Sequence, residues 1–338
     1  MDDGAGPRRH LGEVFSALAA MGFGSAYVAT SFALDAFGPV PAAAWRALLA
    51  ALVLAVVQFL RRGLPRLPRS RPLAPGHATR RPDAPDWLAR STHLLALATL
   101  GGPVFLASMN LAVAHVGAAI ASFVAGLYAV LAAVIAPVLL PERLSVRVLA
   151  GFALAVVGTA MLAELAPDAT DLAGIGWGVL AAVSFALYLV LTRRWSRPYR
   201  LDGMSVAIAN CALTAAVLGG FLLATDPASL SPSSPSLAAL VALGWMAAVA
   251  ALGPVLTVAS LRRISASRSA AFLLLNPITA TVLAVLLLGE RPSPLQIAGG
   301  LLVLAGMVAA TLPARVGGTE SGRQGSAHDE GGARELLT

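Results

Sequence analysis

The chain has 338 residues, of which 57% are hydrophobic and 12% charged, with a mean hydropathy of +0.78. A soluble domain carries about a quarter charged residues, because its outside must be polar even when its core is not, so this balance excludes a water-soluble globule and calls for lipid as solvent. The net charge of +7 comes from 24 basic residues that are all arginine, and they lie between apolar runs, which points to membrane topology and not to a nucleic-acid partner.

A helix that crosses a bilayer takes about 20 mostly apolar residues. Residues 1–13 read as a cytoplasmic N-terminus. Arg8, Arg9 and His10 precede apolar residues as they would in a signal peptide, but no soluble body follows, so 14–34 is expected to be a first crossing helix. A second run, 41–60, is followed by the longest polar interruption, an Arg- and Pro-rich cytoplasmic loop over 61–92. Runs at 94–114, 117–139 and 146–165 complete five, and 14–165 forms one unit. Runs at 172–192, 204–224, 237–259, 266–288 and 294–313 form a second unit over 172–313. The Gly-rich polar tail, 314–338, is expected to be disordered and cytoplasmic. The single cysteine, Cys211, lies inside an apolar run, so neither a disulfide framework nor a metal cluster is available, and no cofactor is expected.

The arginines set the orientation. With the N-terminus inside, 22 of the 24 fall in cytoplasmic segments, eight of them between Arg61 and Arg90. The outer segments hold Asp35, Glu164, Asp168, Asp171, Asp226 and the pair Glu290–Arg291. This positive-inside pattern is nearly complete for ten spans with both termini cytoplasmic.

The two units are related. Residues 142–158 align without gaps on 290–306, with identities at Glu142/Glu290, Arg143/Arg291, Ser145/Ser293, Ala150/Ala298, Gly151/Gly299, Leu154/Leu302 and Gly158/Gly306. In the first helices, Leu18-Ala19-Ala20 lands on Leu180-Ala181-Ala182, and Phe23 on Phe185. Five spans per unit is an odd number, so the units enter the membrane in opposite senses. The expected fold is all-α and membrane-integral: ten transmembrane helices as two inverted five-helix repeats around a central cavity, an architecture of carriers.

Three features carry a family resemblance: the stretch Pro41-Ala42-Ala43-Ala44-Trp45-Arg46-Ala47-Leu48-Leu49-Ala50, the Leu-Leu-(Pro or Gly)-Glu-Arg segment that ends the fourth run of each unit, and the glycine-spaced last helix. The chain resembles the drug/metabolite transporter superfamily, and within it the EamA-type ten-span carriers, over residues 14–313. That resemblance implies movement of small metabolites or drugs across the cytoplasmic membrane. The fourth run has Tyr128-Ala129 where the ninth has Asn276-Pro277. No acidic residue follows Glu13 until Asp35, so the buried glutamate through which four-span relatives exchange protons has no counterpart here.

Polar and helix-breaking residues at membrane depth are the candidate substrate site. Arg46 is the one arginine well inside a span, where a charge costs about 2.5–3.5 kcal/mol at mid-bilayer. It either meets substrate or snorkels outward from helix 2. Pro277 beside Asn276, Pro103 and Pro254 each remove a helical donor, and the freed carbonyls of Leu273, Thr99 and Ala250 need protein or a watered cavity. Tyr27, Tyr128 and Tyr188 carry hydroxyls that want partners, and Asn110, Asn210 and Trp245 are further polar groups within spans. Each also fits a helix–helix hydrogen bond. Glu142 and Glu290 precede the fifth and tenth helices, where a carboxylate suits the helix dipole, and Ser293-Pro294-Leu295-Gln296 reads as a capping box. The paired glycines predict close packing of those two helices.

No GxxxxGK[ST] motif is present, so transport draws on a gradient, with protons the expected driver. The expected function is a secondary transporter in the plasma membrane that exports amino-acid-like metabolites or drugs by alternating access, with a homodimer left open. The competing classes are a membrane-embedded lipid-modifying enzyme and a lipid-flipping or accessory subunit. The enzyme would need clustered carboxylates or a His/Glu metal set at membrane depth, and no DxxD, HExxH or GxSxG pattern occurs within the spans; the two DxxD matches, Asp83–Asp86 and Asp168–Asp171, lie in the polar segments between them.

Overall fold

Lipid cannot hydrogen-bond a bare backbone, so apolar runs of this length satisfy their amides internally as helices. The computed structural model describes residues 6–62, 86–139, 146–164, 169–196, 199, 203–232, 235–261, 263, 272 and 275–311. Most of the 61–92 loop, Glu142 and the 314–338 tail lie outside the described residues. Within them every regular element is helical: α1 Gly6–Leu34, α2 Pro39–Arg62, α3 Asp86–Thr99, α4 Phe105–Gly126, α5 Tyr128–Leu139 and α6 Val146–Glu164. The second unit supplies α7 Ala169–Ser196, α8 Gly203–Thr225, α9 Leu237–Leu261, α10 Leu275–Leu283 and α11 Pro294–Thr311. Apart from the turn at Leu127, the described residues of all ten predicted runs are helical. The helices α1, α2 and α3 extend beyond their apolar runs, because backbone hydrogen bonding continues where hydropathy stops.

Among the described residues six helices are long and apolar enough to cross a membrane, and shorter apolar helices cover Leu149–Thr159, Leu275–Leu288 and Pro294–Ala309. One of the six, Leu88–Leu139, has 52 residues, and a straight helix of that length would be about two and a half times as long as the hydrocarbon core is thick. It is interrupted in three places, one of them the turn at Leu127 between α4 and α5. A π-helical turn spans Leu100–Val104 at Pro103, with Gly102 non-helical. Farther on, Gly117 adopts φ 76° and ψ 173°, a backbone open to glycine and strained for any other residue. A second π-turn, Ala284–Leu288, ends α10 at the left-handed Gly289.

The most extensive packing pairs α6 with α11, α1 with α9, α4 with α7, and α2 with α8, followed by α1 with α10 and α5 with α7. Small residues permit these approaches. On α2, Ala42, Ala43, Ala47 and Ala50 are fully buried. The glycines of α6 and α11 pack reciprocally: a Cβ on Gly158 would lie 2.6 Å from the Gly299 carbonyl oxygen, and one on Gly306 would lie 2.5 Å from that of Gly151. Outward faces stay apolar, with Leu60, Val138, Leu286 and Leu301 among many exposed residues, a surface that suits lipid and not water.

Candidate functional site

Buried polar side chains close into a circuit inside the bundle. Arg46 on α2 is 4% exposed, and its Nε and Nη1 are buried without a hydrogen-bond partner. The ionisable groups within its electrostatic reach are Tyr27 on α1 and Cys211 on α8. Cys211 in turn is within electrostatic reach of Tyr188 on α7, whose ring lies beside Asn210 at Gly101, and the buried Asn210 Oδ1 and Thr192 Oγ1 have no hydrogen-bond partner. One turn back along α7, Phe185 stacks near Tyr188 with ring centroids 5.3 Å apart. Phe185 also meets Tyr128 of α5 edge-on at 5.0 Å and Phe105 of α4 at 4.6 Å. Tyr128 is on the side of the Asn276 amide on α10, whose Oδ1 is buried without a hydrogen-bond partner, and Tyr27 is within electrostatic reach of both Tyr128 and Arg46. Helices α1, α2 and α5 come from the first unit, and α7, α8 and α10 from the second.

Local sequence explains how the helices come so near. Gly24 on α1 leaves room for the Asn276 backbone carbonyl, which a Cβ would strike. A Cβ on Gly101 would lie 2.7 Å from the Tyr188 ring and 2.8 Å from Asn210 Nδ2. The break at Pro103 offers a backbone acceptor to the other unit, and Ser184 Oγ on α7 donates to the Leu100 carbonyl at 2.6 Å.

Of the residues singled out from the sequence, Arg46, Tyr27, Tyr128, Tyr188 and Asn276 meet in this circuit. Pro277 is fully buried beside Asn276 on α10. Asn110 stands apart: it is fully buried, and its Nδ2 donates to the Pro39 carbonyl at 3.0 Å, so it ties α4 to the start of α2. Trp245 is half exposed on α9, with its indole N–H donating to Ser25 Oγ at 2.9 Å, and it does not join the circuit. Pro254 lies on α9 next to Gly253, against which Phe23 packs. Thr192, Phe185 and Cys211 were not singled out. Phe185 carried a signal only as the partner of Phe23 between the repeats.

Glu290 serves a helix other than the one it precedes. Its Oε1 accepts from the Ala118 N–H at 3.0 Å and its Oε2 from the Ala119 N–H at 3.4 Å. These amides follow Gly117, where the helix restarts, so the carboxylate caps the second arm of α4 from 172 residues away. The start of α11 is capped by its own box instead: Ser293 N–H donates to Gln296 Oε1 at 2.9 Å, and Gln296 N–H to Ser293 Oγ at 3.2 Å. A cleft of about 370 Å³ beside this cap is lined by Ile120, Phe123, Glu290, Arg291 and Gln296 among others, and shares no residue with the circuit. Among the described residues no group of three or more His, Cys, Asp or Glu could hold a metal ion.

An apolar helical bundle with a lipid-suited surface and enclosed polar groups is that of a multi-pass membrane protein. The EamA-like transporter family model matches residues 10–163 and 172–312, and the chain belongs to that family. It is 30% identical over 230 residues to a probable terminal-alkyne amino-acid exporter of Streptantibioticus cattleyicolor, an alignment covering 65% of this chain and 73% of that one. A crystal structure of another protein, 19% identical, aligns over 89% of this chain and 97% of its own with a TM-score of 0.59, and so shares its fold.

Proposed function

We propose that the chain is a secondary carrier that exports small amino-acid-like metabolites across the plasma membrane, binding them at the circuit of Arg46, Tyr27, Tyr128, Tyr188 and Asn276. Residues 14–165 and 172–313 act as two inverted five-helix units, both termini face the cytoplasm, and rocking of one unit against the other exposes the site to each side in turn. The observation that carries this reading is that the circuit draws three helices from each unit, so any relative motion of the units opens or closes it.

The packing supports the inverted arrangement. Exchanging the first to fifth runs with the sixth to tenth turns the contact of α1 with α9 into that of α7 with α4, and the contact of α1 with α10 into that of α7 with α5. The contacts of α2 with α8 and of α6 with α11 map onto themselves. The named function of the Streptantibioticus relative supports an amino-acid substrate.

The test is counterflow of the common amino acids in vesicles reconstituted with the purified protein, with and without a pH gradient. Exchange of at least one amino acid is expected, accelerated when the vesicle lumen is acidic so that protons leave as substrate enters. Flux indifferent to the gradient discards proton coupling, and absence of exchange for every amino acid discards the substrate class.

A further inference from the structure

We infer that Arg46 is the specificity-determining anchor of the site, holding a single carboxylate of the transported molecule. This deepens the proposed function and rests on the same circuit.

The buried guanidinium is incomplete as it stands. Its Nε and Nη1 are sealed from solvent without a partner, and among the described residues no carboxylate lies within ion-pair distance of it. The flanking groups, Tyr27 and Cys211, are neutral hydroxyl and thiol groups at physiological pH and supply no counter-charge. A cation held unpaired at this depth is costly, and a fold that retains one leaves it to be neutralised from outside the chain. Snorkelling does not relieve it, because only 4% of the residue reaches the surface.

Charge counting then selects the ligand. Arg46 is the one arginine well inside a span, and the chain has no lysine, so the circuit offers a single positive charge. A substrate whose only charge is positive would be repelled, and one without an anionic group would leave the guanidinium unpaired. A phosphate dianion would carry surplus negative charge into the bundle. A monovalent carboxylate balances the site, and its planar oxygens suit the guanidinium fork. The rest of the circuit, Tyr27, Tyr128, Asn276 and the rings of Phe185 and Tyr188, is uncharged and largely aromatic, which suits the remainder of a small amphipathic acid.

The experiment is thermal unfolding of the full detergent-purified chain, titrated with the common amino acids, with their methyl esters, and separately with sodium chloride. At least one amino acid is expected to stabilise the wild type while its methyl ester does not. Arg46→Gln is expected to weaken the acid by about tenfold or more, the loss of a charged hydrogen bond, and to erase the difference between acid and ester. Arg46→Lys keeps the charge without the fork, and should retain acid-over-ester preference at reduced affinity. Equal stabilisation by acid and ester in the wild type, an acid effect untouched in Arg46→Gln, or stabilisation by chloride alone would each overturn the inference, as would no effect of any amino acid. The wild-type comparison needs no variant to fold. Carboxylate-selective binding without counterflow would sink the carrier reading and leave this one standing. Counterflow of acid and ester alike would do the reverse.

Discussion

Arg46 and Trp245 look equivalent in the sequence, each a polar-capable residue inside an apolar run, yet one is sealed at 4% exposure and the other is half open on α9. The difference follows from which helix face meets a neighbour, and it separates their expected effects. Trp245→Phe removes only the indole donor to Ser25, and counterflow is expected to stay at the wild-type rate. Asn276→Ala removes the amide on the side of Tyr128 and should raise the KM for substrate in the same assay, with expression and melting temperature near wild type. Gly101→Ala tests the aromatic side of the circuit. Its methyl would press on Tyr188 and Asn210, and overpacking of this kind costs about 1–3 kcal/mol, so both the melting temperature and substrate affinity should fall. Tyr128 and Tyr188 were legible as hydroxyls in search of a partner, whereas Phe185 was not, because a phenylalanine in an apolar run carries no polar signal.

At the scale of elements, prolines and glycines marked the interruptions, but the sequence did not show which amides the Glu290 carboxylate meets. The position of Glu290 before the last helix suggested service to that helix. Ser293 and Gln296 already satisfy that terminus, which frees Glu290 to reach the amides exposed where Gly117 breaks α4. Glu290→Ala would leave the Ala118 and Ala119 amides without their acceptor, and unfolding should show a loss of about 1–2 kcal/mol, the range for a helix cap. Glu290→Gln retains one acceptor and should lose less. The glycine register of α6 and α11 was readable as close packing, and the reciprocal fit of Gly158 on Gly299 and Gly306 on Gly151 makes it specific. Gly306→Leu should separate these helices and lower the melting temperature more than Gly244→Leu, since Gly244 has open space where a Cβ would go.

For the whole molecule, the proposed arrangement of two opposed units predicts its own topology. In a Cys211→Ser background, single cysteines placed at 142 and at 290 should be labelled from opposite sides of the membrane. Cysteines placed at the N-terminus and in the 314–338 tail should be labelled from the same side. An impermeant thiol reagent on intact cells and inverted vesicles reads both results directly. Labelling of 142 and 290 from one side would break the inverted arrangement and the alternating exposure that depends on it.

Sequence alone determined the solvent of this chain, the places where it is helical and the kinship of its halves, because hydropathy and residue identity are local and lipid leaves the backbone no choice but the helix. It also marked the polar residues that burial would make expensive. Only the tertiary structure decided which of them meet. Helical periodicity says what shares a face, not which face of another helix it will find. The circuit of Arg46, Cys211, Tyr188, Phe185, Tyr128, Asn276 and Tyr27 spans six helices, and the pairing of Glu290 with α4 crosses from one unit to the other. Those meetings are set by small-residue contacts between helices distant in the chain, and no single segment contains them.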